Sequence, residues 1–203
     1  MAAGAGNLRP GAKRMKGKQD NAIVLGVCGS IAAHRAVDLC SLLVKGGAEV
    51  NVVMTPDAQR FVMPLPFKTM SRNPVVTNLY DDDEEEGWQP AHIRLAEEAS
   101  LLLIAPCTAN VLAKLANGQA DDALSCIALA LQTDARLIIA PAMNGRMWGH
   151  PATQGNVATL VKRGAEFIGP GEGQLACGYE GLGRLWEIDA IANQALQSID
   201  HDG

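Results

Sequence analysis

Residues 141–148 read Pro-Ala-Met-Asn-Gly-Arg-Met-Trp and follow four aliphatic residues, Leu137, Ile138, Ile139 and Ala140. Loops are ordinarily polar, and this one is not. An apolar loop that holds one amide, Asn144, has the composition of a lid over a small pocket, with the amide able to make a directed hydrogen bond. Two further loops carry residue types suited to an anion. Gly29-Ser30 precedes an apolar-periodic segment, where the free N–H groups and dipole of a helix start favour a phosphate. Pro106-Cys107-Thr108-Ala109-Asn110 sets a hydroxyl and an amide at a second helix start, where a plain N-cap by Thr108 is the competing explanation. The first loop is not GxGxxG, and Met54-Thr55 rather than an acid ends the second strand, so a mononucleotide phosphate fits better than a dinucleotide. Cys177 lies between glycines, an unusual place for a core cysteine, and a glycine-rich loop can swing over a bound ligand.

These residues need elements to position them. Apolar runs at residues 22–28, 49–54, 101–105 and 137–140 predict short buried strands, with a last one at 166–168 and an edge-like strand at 75–80. Helical periodicity predicts helices at 31–45, 92–99, 108–117, 121–131, 152–163 and 188–198, several of them stopped by glycine. Thr55 is read as the cap of a helix with Pro56 at its first position, and Pro106 as the end of its strand. Asp121-Asp122 can cap the helix that follows or bring a carboxylate to the same site. Fully apolar strands alternating with helices imply an α/β fold: one doubly wound, Rossmann-like or flavodoxin-like parallel sheet with helices on both faces. Ligands bind such sheets at the carboxyl ends of the strands, where the informative loops fall.

The chain has 203 residues, 48% hydrophobic and 4% aromatic, with a formal charge of −5. That is enough for one aliphatic core. The charge argues against nucleic acid, and no apolar run approaches the roughly 18 residues that cross a membrane. Five cysteines without paired spacing (Cys28, Cys40, Cys107, Cys126, Cys177) suggest reduced thiols in a cytoplasmic protein, with Cys28, Cys40 and Cys126 as small core residues. The four histidines lack metal-ligand spacing, so no metal site is expected; His34 and His150 read as structural or surface residues. Residues 1–20, with five basic residues and no apolar periodicity, read as a disordered basic tail, and residues 21–203 as the domain. The acidic run 81–86 reads as a solvated loop.

Taken in order, Gly-Ser-Ile-Ala-Ala at residues 29–33, Pro-x-Thr-Ala-Asn at 106–110, Pro-Ala-Met-Asn-x-x-Met-Trp at 141–148 and Ala-Cys-Gly-x-x-Gly-x-Gly-Arg at 176–184 resemble the flavin-dependent cysteine decarboxylases. The resemblance covers about residues 22–188 and is nearest to the bacterial branch that acts on phosphopantothenoylcysteine. It implies that Gly29, Ser30, Ile31, Thr55, Thr108, Ala109, Asn110, Val111 and Ala142 hold FMN. It implies that Asn144, with Met143, Met147, Ala176 and Gly178, meets the substrate. His92, which alone would read as a surface histidine, falls at the family's active-site histidine, and Cys177 at the cysteine that protonates the intermediate.

The implied reaction turns 4′-phospho-N-pantothenoylcysteine into 4′-phosphopantetheine, a step of coenzyme A biosynthesis. Decarboxylating a cysteine derivative directly would leave an unstabilised carbanion. Hydride removal from the carbon bearing sulfur, onto the flavin, gives a thioaldehyde instead, so that CO₂ leaves into an enethiolate. Return of the hydride and a proton from Cys177 then closes the cycle. The resemblance further implies a homo-oligomer, a trimer or a multiple of trimers with FMN at a subunit interface, and a separate phosphopantothenate–cysteine ligase as a possible partner. Rivals are a peptidyl-cysteine decarboxylase that stops at the enethiol, a non-catalytic flavin-binding regulatory protein, and a flavin prenyltransferase-like protein. Departures from the family pattern stand at Cys107, Thr108, Asp121-Asp122 and Tyr179-Glu180.

Overall fold

The computed structural model describes residues 21–80, 89–174 and 180–200. Its main sheet has six parallel strands in the order β3-β2-β1-β4-β5-β6. They are β1 (Ala22–Val27), β2 (Glu49–Met54), β3 (Val75–Val76), β4 (Leu101–Cys107), β5 (Arg136–Pro141) and β6 (Glu166–Phe167). Every residue of β1 and β4 is buried, as central strands covered on both faces require. The direction of winding reverses between β1 and β4, which makes their carboxyl ends the switch-point crevice of the fold.

Alternating side chains feed two cores. Ile23, Leu25 and Val27 of β1 and Leu101, Leu103 and Ala105 of β4 enter one. It is closed by α1 (Arg35–Lys45), α2 (Pro64–Ser71) and α8 (Ile188–Ile199), through Leu39, Leu43, Phe67 and Ile191. Val24 of β1 with Leu102 and Ile104 of β4 enter the other. That one is closed by α3 (Ala91–Glu98), α4 (Ala109–Asn117), α5 (Ala123–Ala130) and α7 (Pro151–Lys162), through Leu95, Leu112, Leu124 and Leu160. Each fully buried Leu or Ile contributes about 1.5–3 kcal/mol of transfer free energy. The aliphatic composition is thus spent on the two faces of one sheet.

The fold differs from the sequence reading in several places. No helix begins at Pro56: a single 3₁₀ turn, Ala58–Arg60, follows, and the unforeseen helix is α2, with Pro64 in its first turn. The third strand is two residues long. The segment from residue 31 opens as a 3₁₀ turn, Ile31–His34, before it becomes α1. Pro106 does not end β4, because the strand passes through it with a register irregularity that accommodates the missing N–H. A short helix, α6 (Gly145–Trp148), interrupts the loop at 141–148. The strand at 166 is not the last: β7 (Gly171–Gln174) and β8 (Glu180–Arg184) form an antiparallel hairpin. Glycine at 171, 173, 181 and 183 hides it from a propensity reading. Cys28 and Cys40 are core residues, but Cys126 is only half-buried. His150 is structural, its Nδ1 accepting the Ala152 N–H as the N-cap of α7.

Candidate functional site

Three caps at the carboxyl ends of the strands build the floor of a cleft. The Ser30 hydroxyl accepts from the Ala32 N–H at 3.3 Å, that of Thr55 from Ala58 at 3.3 Å, and that of Thr108 from Val111 at 3.4 Å. A capping hydroxyl accepts with its oxygen and retains its O–H to donate. The loops after β1 and β2 are pressed together, since a Cβ on Gly29 would lie 2.5 Å from the Cβ of Asp57. Gly29 therefore lets main chain approach main chain at the cleft wall.

The resulting cleft has a volume of about 420 Å³. It is lined by Gly29, Ser30, Thr55, Thr108, Ala109, Asn110, Val111, Ala142, Met143 and Met147, ten of the residues singled out in the sequence. Its size falls in the range of about 300–1,000 Å³ usual for small-ligand sites. Four strand ends converge there, as the switch-point rule requires. Ile31 lies outside this lining and is 64% exposed. Asn144 caps α6, its side-chain oxygen accepting from the Arg146 N–H at 2.8 Å. Like Ile31, Asn144 lies outside the lining of the cleft.

The sequence reading missed Pro56, Asp57 and Lys114, and left open how Asp121 and Asp122 act. Both alternatives for the acidic pair hold. Asp122 caps α5 by a capping box with Ser125, and both carboxylates line the cleft. The Lys114 ammonium donates to Asp121 at 2.6 Å and to Asp122 at 2.8 Å. Burial works against the charge of Lys114, but its bonds to Asp121 and Asp122 outweigh it and raise the pKa. For Asp122 burial opposes ionisation, and the bonds from Lys114 and Ser125 prevail and lower it. A signal for Lys114 was present: it lies three residues after Val111, on the same face of α4.

His92 is not brought to the cleft of its own chain. It is half-buried on α3, which packs on α5, and its buried Nδ1 has no hydrogen-bond partner among the described residues. Ala176, Cys177 and Gly178 lie outside the described residues. The strands that flank them are anchored to the site. Gly183 of β8 accepts the Met143 N–H at 2.9 Å.

A family model described as "Flavoprotein" matches residues 11–200. A probable phosphopantothenoylcysteine decarboxylase of Streptococcus mutans is 45% identical over 177 residues, covering 87% of this chain and 98% of that protein. The coenzyme A biosynthesis bifunctional protein CoaBC of Bacillus subtilis is 47% identical over 173 residues; the match spans 85% of this chain and 42% of that longer protein. Among solved structures, a mutant PPC decarboxylase complexed with pantothenoylaminoethenethiol aligns with a TM-score of 0.77 at 31% identity, covering 88% of this chain and 96% of that one.

Proposed function

This chain belongs to the flavoprotein family, beside the phosphopantothenoylcysteine decarboxylases, and from that premise we propose that it decarboxylates 4′-phospho-N-pantothenoylcysteine to 4′-phosphopantetheine. The observation that carries the reading is the meeting of the loop at 141–148 with the three hydroxyl caps in one switch-point cleft. The family match supports a flavin as cofactor. FMN is the form the cleft suits, because its βα turns offer hydroxyls and a helix N-terminus to one phosphate and no dinucleotide fingerprint is present. The cleft's carboxylates oppose a phosphate, and Lys114 offsets two of them.

When bound, the flavin supplies reversible hydride acceptance, which makes the carboxylate a leaving group. The protein's own residues do the rest. Ser30, Thr55 and Thr108 with Gly29, Ala109, Asn110, Val111 and Ala142 would hold the cofactor. Asn144 donates to the substrate carboxylate and holds it without neutralising it, so that CO₂ can depart. Met143 and Met147 exclude water over the reacting carbon. Cys177, flanked by Ala176 and Gly178, returns a proton to the carbon next to that bearing sulfur, which separates a saturated thiol from an enethiol product.

His92 enters this account through a second copy of the chain. Its position outside its own cleft and its unpartnered Nδ1 support a homo-oligomer, a trimer or a multiple of trimers, in which α3 of one copy faces the cleft of the next. Among the described residues no helix is long and apolar enough to cross a membrane. Relatives in coenzyme A biosynthesis support work in the cytoplasm. The bifunctional relative supports a phosphopantothenate–cysteine ligase as the enzyme that supplies the substrate. Turnover of synthetic phosphopantothenoylcysteine by the purified protein, followed by product mass, tests the reading; failure to bind flavin or to release CO₂ rejects it.

A further inference from the structure

Two thiols that the proposed reaction does not use lie together directly beneath the cleft. Cys28 follows the last residue of β1, Cys107 ends β4, and both are fully buried. The strands are adjacent and parallel. Strict alternation from Ile104 would send Cys107 to the opposite face of the sheet. The register irregularity between Ile104 and Cys107 instead places it in the same core as Val24 and Cys28. The Cys28 N–H donates to the Pro106 carbonyl at 3.2 Å, fixing the two cysteines side by side. Burial first, and a side-chain hydrogen bond to Cys28 second, hold the Cys107 thiol well above its ordinary pKa. The Cys107 thiol donates to the Thr108 carbonyl at 3.7 Å.

Each thiol also stands at the root of a cleft loop: Gly29 and Ser30 follow Cys28, and Thr108 and Ala109 follow Cys107. We propose that Cys28 and Cys107 form a redox modification site, a latent disulfide closed by a peroxide, which ties the roots of the two cleft loops together. Neighbouring strands run about 4.7–4.9 Å apart, inside the Cα separation of about 4.4–6.8 Å that a disulfide requires. The Cys28 sulfur attacks one peroxide oxygen and the O–O bond breaks, leaving a sulfenic acid and one water. The Cys107 sulfur then attacks the sulfenic sulfur, its proton leaves with the hydroxyl as a second water, and the S–S bond forms. Two electrons pass from the two thiols to one hydrogen peroxide.

A disulfide forms at the Cα separation that neighbouring strands already have, so closure locks the roots of the two loops at their present spacing. The linkage stands apart from the functional reading.

The test treats the folded protein with a small excess of hydrogen peroxide, then denatures, alkylates and maps its peptides. The expected result is one linked pair, Cys28 with Cys107, with loss of the mass of two hydrogens and full reversal by dithiothreitol. Cys28→Ser and Cys107→Ala should each give no linked peptide under the same treatment. If both cysteines still take up the alkylating reagent, or Cys28 is found linked to Cys40, Cys126 or Cys177, the proposal is overturned.

Discussion

The main-chain N–H of Met143 donates to the carbonyl of Gly183 at 2.9 Å, and this bond couples the two loops on which the proposed chemistry depends. Met143 belongs to the loop after β5 that lines the cleft. Gly183 belongs to β8, which follows the glycine-rich stretch containing Cys177. Gly183 has φ +146°, and a Cβ there would collide with the Met143 carbonyl oxygen. Glycine is required on both grounds.

Gly183→Ala is accordingly expected to separate the hairpin from the loop. Strain of about 1–3 kcal/mol should lower the melting temperature, and kcat should fall because Cys177 and Asn144 lose their common frame. Thermal unfolding and turnover measured together check this; an unchanged kcat would mean that the bond does not position the loops.

Asn144→Asp separates two roles of one side chain. An aspartate oxygen can still accept from Arg146 N–H and keep α6 capped. Its charge, however, would face the substrate carboxylate. About a hundredfold loss in kcat/KM is expected, equivalent to about 2.7 kcal/mol, with flavin affinity retained. Equal loss of flavin affinity would place Asn144 at the cofactor instead.

Much of this architecture was legible in the chain. The strand Ala22–Val27 and residues 101–105 of β4 announce themselves as apolar runs, because a strand buried on both faces has no polar side to show; the continuation of β4 through Pro106 did not. The loops of the cleft could be named because strand ends are where an α/β sheet must bind, and the resemblance to the flavin-dependent cysteine decarboxylases picked out ten of the residues that line it. The hairpin β7–β8 was not legible, since its four glycines weaken strand propensity, and the one at Gly183 serves close approach to the neighbouring loop. Lys114 escaped for a similar reason. Its role depends on carboxylates seven and eight residues away across a helix end, a distance set by the Gly118 turn and not by local periodicity.

The pair Lys114 and Asp122 should shape stability against pH. The folded pKa of Asp122 is depressed, so its contribution is present above the unfolded value near about 4 and drains away as pH falls through the lower folded value. The folded pKa of Lys114 is raised, so its contribution holds up to its ordinary 10.5 and is lost only as pH climbs beyond it, through the folded value. Asp122→Asn should cost about 1.5–3 kcal/mol near neutrality and flatten the acid limb of a melting-temperature profile. Parallel acid limbs in wild type and variant would contradict the assignment.

Placement of His92 in a neighbouring copy's cleft makes complementation the natural check. His92→Asn and Asn144→Ala, each inactive alone, should regain part of the wild-type rate when unfolded together and refolded as mixed oligomers. No recovery, with mixed oligomers demonstrated by mass, would return His92 to its own chain or remove it from the reaction.

The most direct test of the central claim is the product of a single substrate in two proteins. Wild type with bound flavin should convert phosphopantothenoylcysteine to CO₂ and the saturated thiol, with the flavin oxidised at the end. Cys177→Ser should release CO₂ but leave the enethiol and reduced flavin. Saturated thiol from Cys177→Ser at the wild-type rate, or no CO₂ from the flavin-loaded wild type, would contradict the account.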